Sequence, residues 1–145
     1  MSKLSSFILL NEGQVTLPEG YQDCTVNIFT SFAKAAPSFT LSRDSLGPNE
    51  ALAAYIDRQL TQMQQHLKQW QQSARCPTAL GENLSHGEMV HGSYQRSGRQ
   101  VWQQQAVFNP QGAHVLVFTM TATVVLTEAD SALFHSLLKS FRPHA

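Results

Sequence analysis

Short apolar runs separated by turn residues predict β-strands in the N-terminal part of the chain. The predicted strands are Phe7–Asn11, "GQVTLP", Thr25–Thr30 and Ser38–Asp44. The last strand alternates most regularly, with Phe39 and Leu41 on one face and hydroxyl side chains on the other, because successive strand residues point to opposite faces. The hydroxyl side chains are those of Ser38, Thr40 and Ser42.

A change from alternation to helical spacing follows. From Glu50 to about Ser73 there is no Gly or Pro, and Ala, Leu and Gln dominate, so the sequence predicts one long helix with Asn49 as its N-cap. Its apolar residues recur at steps of three and four and form one stripe. They are Leu52, Tyr55, Ile56, Leu60, Met63, Leu67 and Trp70.

The C-terminal half returns to strands and ends in a second helix. The segments "GEMVHGSYQ", "QVWQQQAVF" and "AHVLVFTMTATVV" predict a three-strand meander with hairpin connections. Thr127 is the predicted N-cap of the final helix, with Asp130 completing a capping box. The predicted apolar stripe of this helix is Ala129, Leu133, Leu137 and Phe141. This order of elements predicts a single α+β domain over residues 1–145 with a mainly antiparallel sheet.

Three consecutive glutamines interrupt the strand 101–109. A buried Gln without hydrogen-bond partners costs free energy, so their placement needs a reason. Alternation places Gln103 and Gln105 on the face of Val101 and Val107. Gln104 falls on the opposite face, and we expect it near a strand edge or a hydrogen-bonding neighbour.

Composition limits the class of partner. Apolar residues make up 42% of the 145 residues, which is enough for a core, whereas charged residues make up only 14% and the net charge is zero. A nucleic-acid or anionic-membrane partner would need a basic surface. The N-terminal run "FILL" is too short for a signal peptide core, and a membrane span needs about 20 apolar residues. We therefore expect a soluble, cytoplasmic protein without stable membrane insertion.

Residues that often carry chemistry form no recognisable motif. Cys24 and Cys76 are predicted to be buried small hydrophobes, with their pairing left open. The histidines lack metal-ligand spacing, so exposed or strand-edge positions are predicted. They are His66, His86, His91, His114, His135 and His144. The cluster Ser42, Arg43 and Asp44 is interpreted as a structural turn. We therefore predict no cofactor, no metal and no enzyme activity.

Three elements place small apolar and uncharged polar side chains on the same face. These faces carry Ser38, Thr40 and Ser42; Val101, Gln103, Gln105 and Val107; and Gln59, Met63 and Leu67. One interpretation is an open, solvated sheet face beside an exposed helix. The other is a concave, semi-apolar cradle in which Met and Leu give adaptable apolar contacts and Ser, Thr and Gln form hydrogen bonds.

Several segments, in order, resemble the Eag chaperones, the effector-associated adaptors of bacterial type VI secretion. The segments are "VNIF", "SFTLSRD", "YIDRQL", "YQRSGR" followed by "QQAVF", and "FTMTAT". The broader fold implied is Mog1/PsbP-like, which includes DcrB-like proteins.

The resemblance implies a homodimeric cytoplasmic chaperone. It would hold the N-terminal transmembrane helices of an effector that carries a PAAR domain, and help to load that effector onto the VgrG spike. The implied client-binding residues are Val26, Ile28, Ser38, Thr40, Ser42, Gln59, Met63, Leu67, Val101, Gln103 and Gln105. Two alternatives stay open: a Mog1/PsbP-like module that binds a folded protein, and a small-molecule enzyme that uses Ser42, Arg43 and Asp44.

Overall fold

The computed structural model describes residues 6–144, so residues 1–5 and 145 of the predicted domain lie outside the described residues. Its elements are β1 (Ser6–Leu9), β2 (Gln14–Leu17), β3 (Asn27–Phe29), β4 (Ser38–Ser45), α1 (Leu52–His66), β5 (Lys68–Leu80), β6 (Ser85–Arg96), β7 (Arg99–Gln111), β8 (His114–Ala122) and α2 (Glu128–Lys139). The predicted α+β class with a mainly antiparallel sheet is confirmed.

One antiparallel sheet organises the fold. Its strand order is β3-β4-β8-β7-β6-β5, while β1 and β2 form a separate hairpin. Neighbouring residues of β7 pack in different clusters: Phe108 packs with Phe134 of α2, and Val107 packs with Ile56 of α1. Because alternate strand residues point to opposite faces, the two helices cover opposite faces of the sheet.

The larger core cluster lies under α2. Phe134 is fully buried and stacks on Phe39, with 5.8 Å between ring centroids. The predicted capping box is present: the Thr127 hydroxyl accepts a hydrogen bond from the Asp130 backbone N–H, and the Asp130 carboxylate accepts one from the Thr127 N–H. This reciprocal pair fixes where the helix begins.

The predicted apolar stripe of α2 is half wrong. Leu137 and Phe141 pack against the core as predicted, but Ala129 is exposed and Leu133 keeps 53% of its surface exposed. The buried positions are Phe134 and Leu138. Burying the larger aromatic ring removes more apolar area from water than burying Leu133 would, and this sets the rotation of the helix.

A smaller cluster holds α1 on the other face. Tyr55 and Ile56 are buried against residues of the three central strands, which are Val90, Val107 and Val115. Arg75 of β5 ties the helix to the sheet, donating to Glu88 of β6 at 2.6 Å and forming an ion pair with Asp57 of α1. Its hydrogen bonds to Glu88 and then Asp57 raise the pKa of Arg75 above its ordinary value.

The predicted bounds of the long helix are wrong at both ends. Asn49 has a φ of 54°, and the N-cap is Ala51, which makes no side-chain cap. The helix ends at His66, and β5 begins at Lys68 and pairs with β6, so the predicted three-strand meander has a fourth strand. Local helix propensity in this segment is overridden because a strand here satisfies its backbone groups through pairing with β6.

Trp70 therefore belongs to a strand rather than to the stripe of α1. Its ring lies over Gly92, where an added Cβ would stand 2.2 Å from Trp70 Cη2. The ring also lies beside Tyr94, at 6.4 Å between centroids. Only a residue without a side chain at position 92 leaves room for the indole, which closes one end of the α1 side of the sheet.

Candidate functional site

The uncovered part of the α1-side sheet face is built from cross-strand rows. One row runs Ile28, Thr40, Thr119, Gln105 and Val90, each opposite the next on adjacent strands. Cross-strand partners stand side by side on the same face, so a hydroxyl pair and an amide lie between two apolar residues. The surface is thus neither uniformly polar nor uniformly apolar.

Two flanking rows extend the same surface. The row on one side contains Ser38, Thr121, Gln103 and Gly92. The row on the other side contains Ser42, Val117 and Val107. The rows bring the predicted residues of β4 and β7 together through β8, and we use the name cradle for the three rows together with the wall of α1.

Helix α1 supplies the wall of the cradle. Gln59, Leu60 and Met63 face Gln105, Val107 and Val117 across a partly open groove of about 190 Å³. Met63 is only half-buried. Because a Met side chain is flexible and polarizable, it can adapt to the surface of different apolar partners.

The rim of the cradle lies at β3, where apolar side chains remain uncovered. Val26 keeps 49% of its surface exposed and Ile28 keeps 66%. Neither is sealed inside the fold, and an open trough remains beside Met63. Neither residue lines the groove itself, but Ile28 belongs to the central row on the same sheet face, and grouped exposed apolar side chains are typical of a binding surface.

Three predicted residues contribute less open surface. Val101 lies on the cradle side but is buried, and Gln103 is buried in the floor. Leu67 is half-buried and forms the C-cap of α1, where its backbone N–H donates to Met63 O at 2.8 Å. These residues support the cradle rather than its rim.

The glutamines of β7 occupy two different environments. Gln105 donates weakly to Thr119 Oγ1 across the cradle, at 3.5 Å. Gln104, on the opposite face, donates to Ser131 Oγ of α2 at 2.8 Å, so the expected hydrogen-bonding neighbour is present. Its Oε1 atom is buried without a partner. The amide of Gln105 on the cradle side therefore keeps capacity for an external partner, whereas Gln104 serves helix packing.

A charged end closes the cradle near the start of α1. The Tyr55 hydroxyl donates to Asp44 Oδ2 at 2.6 Å, and Arg58 lies 5.1 Å above the Tyr55 ring. Burial, and then the nearby Asp44, raise the pKa of Tyr55. Arg43 is exposed and donates to Thr25 O at 3.1 Å. The side chains of Asp44 and Arg43 thus make contacts that hold the fold, but both residues lie within strand β4 and pair with β8, so the interpretation of this cluster as a turn is wrong.

Sequence reasoning missed Thr119 and Thr121 of β8. Both lie in the rows between β4 and β7 and are half-buried. The alternation in "FTMTAT" contains the signal, since every second residue is Thr. Only the strand order β4-β8-β7 shows that these hydroxyls lie between the predicted residues.

Cysteines and histidines take positions outside the cradle. Cys24 and Cys76 are free and exposed, so the prediction that they are buried is wrong. Both lie in peripheral parts of the fold, in the segment before β3 and in the edge strand β5, where little covers a side chain. The histidines are exposed except His91, which is half-buried. Within residues 6–144, no three His, Cys, Asp or Glu side chains are grouped to hold a metal ion.

A larger hollow of about 720 Å³ lies away from the cradle. It is bordered by Leu41, Leu84, His114, Phe141 and Arg142, among others. None of the predicted client-binding residues lines it. Over residues 6–144, neither helix combines the length and apolar character needed to cross a bilayer.

The fold and the cradle define a small α+β domain with one sheet face that carries a partly open groove, which is mostly apolar and uncharged polar and has a charged end at Arg43 and Asp44. A family model described as DcrB matches residues 12–140, so the chain belongs to the DcrB family. It is also 29% identical over 120 residues to the protein named Effector EagT6 of Pseudomonas aeruginosa, covering 79% of each chain. The predicted membership of an Eag/DcrB-like family is confirmed.

A solved structure shares the fold. The crystal structure of PA94, a Pseudomonas aeruginosa protein of unknown function, matches with a TM-score of 0.73 and 22% identity. The match covers 97% of this chain and 98% of that one. At this identity, the likeness supports the fold alone, and it agrees with the predicted α+β class.

Proposed function

We propose that this protein is a cytoplasmic chaperone and adaptor of type VI secretion. It binds the N-terminal transmembrane helices of a PAAR-containing effector in the cradle, shields them from water, and helps to load the effector onto the VgrG spike as a homodimer. Membership of the DcrB family and the similarity to EagT6 support the effector-associated part of this proposal. The observation that carries the client-binding part is the partly open groove beside Met63, with the exposed Ile28 at the β3 end of the central row on the same sheet face.

The chemistry of the cradle suits a transmembrane helix. Such a helix exposes about 20 apolar residues and aggregates in water unless something covers them. A helix can lie in a groove, with Ile28 and Met63 as apolar contacts on its two sides. The hydroxyls of Thr40 and Thr119 and the amide of Gln105 can pair with polar side chains of the client, as neighbouring helices do in a bilayer.

Reversibility favours a mixed surface over a wholly apolar one. The client has to leave the chaperone before it enters a membrane. The central row of the cradle places the hydroxyls of Thr40 and Thr119 and the amide of Gln105 between Ile28 and Val90, and these polar groups keep water partners when the client is absent. A mixed cradle therefore exposes less apolar surface to water when no client is bound, and the protein remains soluble between clients.

An enzyme is not favoured by the geometry around Ser42, Arg43 and Asp44. That alternative requires an enclosed pocket with activated groups. Instead, Arg43 and Asp44 are exposed, and Asp44 accepts the Tyr55 hydroxyl. These contacts support a structural role for the cluster.

A co-expression experiment tests the function. The chain carries a tag and is produced with an N-terminal effector fragment that contains the predicted spans. The variants Ile28→Asp and Met63→Asp place a charge against the client, so we expect recovery of the fragment to fall by at least about tenfold, since an unpaired buried charge costs several kcal/mol. Leu133→Asp is the matched control, because Leu133 is similarly exposed but lies on α2.

Circular dichroism of each variant verifies folding. Unchanged recovery with folded Ile28→Asp and Met63→Asp would place the client elsewhere. A second fragment that lacks the apolar helices separates the alternatives: capture of this fragment by the wild type would favour a module for a folded partner.

A further inference from the structure

Helix α2 covers only part of its side of the sheet. Its 12 residues extend over about 18 Å at 1.5 Å per residue, whereas the 13 residues of β7 extend over about 43 Å at about 3.3 Å per residue. The sheet face beyond the C-terminal end of α2 therefore has no helix above it. The hollow of about 720 Å³ lies there, since its lining includes the residues that follow α2, from Phe141 to His144.

The hollow is mainly apolar. Leu80 and Leu116 are buried parts of the core under α2, and Leu41 and Phe141 pack against the same core. Leu84 also lines the hollow and keeps 55% of its surface exposed. A concave, apolar surface of this volume is in the range of sites that bind small molecules.

The charged side chains that line the hollow are all basic. They are Arg43 and Arg142, together with the imidazoles of His114 and His144, and among residues 6–144 no Asp or Glu lines it. The whole chain has ten acidic and ten basic residues, so this one-sided lining does not follow from composition. Charge complementarity therefore favours a ligand with an anionic group.

Both arginines are held in place by backbone carbonyls. Arg43 donates to Thr25 O at 3.1 Å, and Nη1 of Arg142 donates to two carbonyls around the C-terminal end of α2, at 2.8 and 2.9 Å. Glu82, outside the lining, has its Oε1 atom 3.5 Å from Nη2 of Arg142. A guanidinium has five N–H donors, so these contacts leave each arginine with donors for a carboxylate.

We propose that the hollow is a binding site for a small amphipathic carboxylate of the medium-chain fatty acid class. The apolar chain packs on Leu41, Leu80 and Leu116, and the carboxylate accepts hydrogen bonds from Arg142, with Arg43 adding to the positive potential. The site lies on the α2 side of the sheet, opposite the cradle. The inference therefore does not rest on the proposed function.

The lining selects a ligand with one anionic end and an apolar remainder. A small polar anion such as phosphate would bury none of the leucine surface. A wholly apolar ligand would take water away from Arg142 without replacing its hydrogen bonds. Only a ligand that combines the two groups matches both parts of the hollow.

Isothermal titration calorimetry of the full chain with decanoate tests the site. Decylamine is the matched ligand, because its chain has the same length and its amine is a cation at neutral pH. We expect decanoate to bind at least about tenfold more tightly than decylamine. Octanoate should bind between about fourfold and about fifteenfold more weakly than decanoate, since it lacks two methylenes that the hollow covers partly or fully.

A pair of variants at one position tests the sign of the charge. Leu84→Asp and Leu84→Lys both remove the leucine, but only the first places a carboxylate beside the ligand. We expect decanoate to bind Leu84→Asp at least about tenfold more weakly than Leu84→Lys. Arg142→Gln should weaken binding by about tenfold. Glu82→Gln should strengthen it by roughly twofold, because it removes a carboxylate that competes for Arg142.

Met63→Asp is the control for the cradle, and it should bind decanoate like the wild type. In the co-expression experiment, Leu84→Asp should recover the effector fragment like the wild type, so failure of one proposal does not imply failure of the other.

Three results would overturn the inference: no heat of binding at millimolar decanoate, equal binding of decanoate and decylamine, or loss of decanoate binding in Met63→Asp alone. The last result would place the ligand in the cradle. Circular dichroism verifies the folding of each variant. If the two Leu84 variants do not fold, the opposite effects expected for Arg142→Gln and Glu82→Gln test the same site, since both side chains are exposed and lie outside the core. Unchanged binding in both of these variants would refute the role of Arg142.

Discussion

Truncation of Ile28 to Ala gives a graded test of the cradle. The side chain belongs to the short edge strand β3 and contributes little to the core, so Ile28→Ala should leave the fold intact. It removes apolar surface at the rim without adding charge. The variant therefore reports how much of this side chain a client covers.

The structure sets the expected magnitude. Ile28 keeps 66% of its surface exposed, which is the share that a client can still remove from water. The three carbons lost in the change to Ala are worth about 2.4 kcal/mol when fully buried, at about 0.8 kcal/mol each. Scaled by the exposed share, complete coverage by a client gives a loss of about 1.5 kcal/mol, or roughly tenfold in affinity.

Competition measures this ratio without free client, which would aggregate. Wild type and Ile28→Ala are each made as a tandem of two linked copies, so that subunits of the proposed dimer cannot mix, and the two tandems carry different tags and are produced together with a limiting amount of the effector fragment. The fragment captured by each tag gives the ratio of affinities, and swapping the tags corrects for their effects. Leu133→Ala, compared with wild type in the same way, is the control on α2.

A ratio near one for a folded Ile28→Ala would refute the reasoning. It would mean that the client does not cover the β3 rim, whatever else it contacts. An intermediate ratio of about threefold would correspond to coverage of roughly half of the exposed share.

Three further predictions concern the stability of the fold. Phe134→Ala should lower the free energy of unfolding by about 3–5 kcal/mol, measured by urea denaturation, because it empties the centre of the core under α2. Gln104→Met combined with Ser131→Ala should raise this free energy by about 1 kcal/mol, seen as a melting temperature higher by about 2–4 °C, because the pair of changes removes the unpartnered Oε1 and both partners of the hydrogen bond. In the folded protein, burial, and then the nearby His135, lower the pKa of His91 below 6.5. As the pH falls, His91 is therefore protonated in the unfolded chain at a higher pH than in the folded protein. The contribution of His91 to the free energy of unfolding is fully present above the pKa of the unfolded chain, and it is lost as the pH falls towards the lower pKa of the folded protein. Melting temperature between pH 7.5 and 5 should therefore fall more steeply for the wild type than for His91→Gln, and parallel curves would contradict this assignment.

The elements with regular patterns were predictable from the sequence. Strand β4 appeared where Phe39 and Leu41 alternate with hydroxyls, and α2 began at the capping box of Thr127 and Asp130. These signals are local: a strand alternates with a period of two, and a capping box spans four residues. The predicted family followed from such segments as well, and the DcrB match confirmed it.

The C-terminal end of α1 was not predictable in this way. The residues from Leu67 to Ser73 have good helix propensity and continue the helical spacing, yet β5 starts at Lys68. Pairing with β6 and the space over Gly92 for the Trp70 ring decide the outcome. Both partners lie about 20 or more residues further along the chain, so no local pattern reveals them.

The sequence by itself determined the class of fold, most element positions and the alternation that places Gln103 and Gln105 opposite Gln104. Tertiary structure alone decided that β8 lies between β4 and β7, and that its Thr119 completes the central row of the cradle. It also decided which side of α2 is buried and that residues 7–36 stay outside the core. The physical reason is that periodicity fixes which side chains share a face, whereas strand order and helix rotation depend on contacts between distant segments.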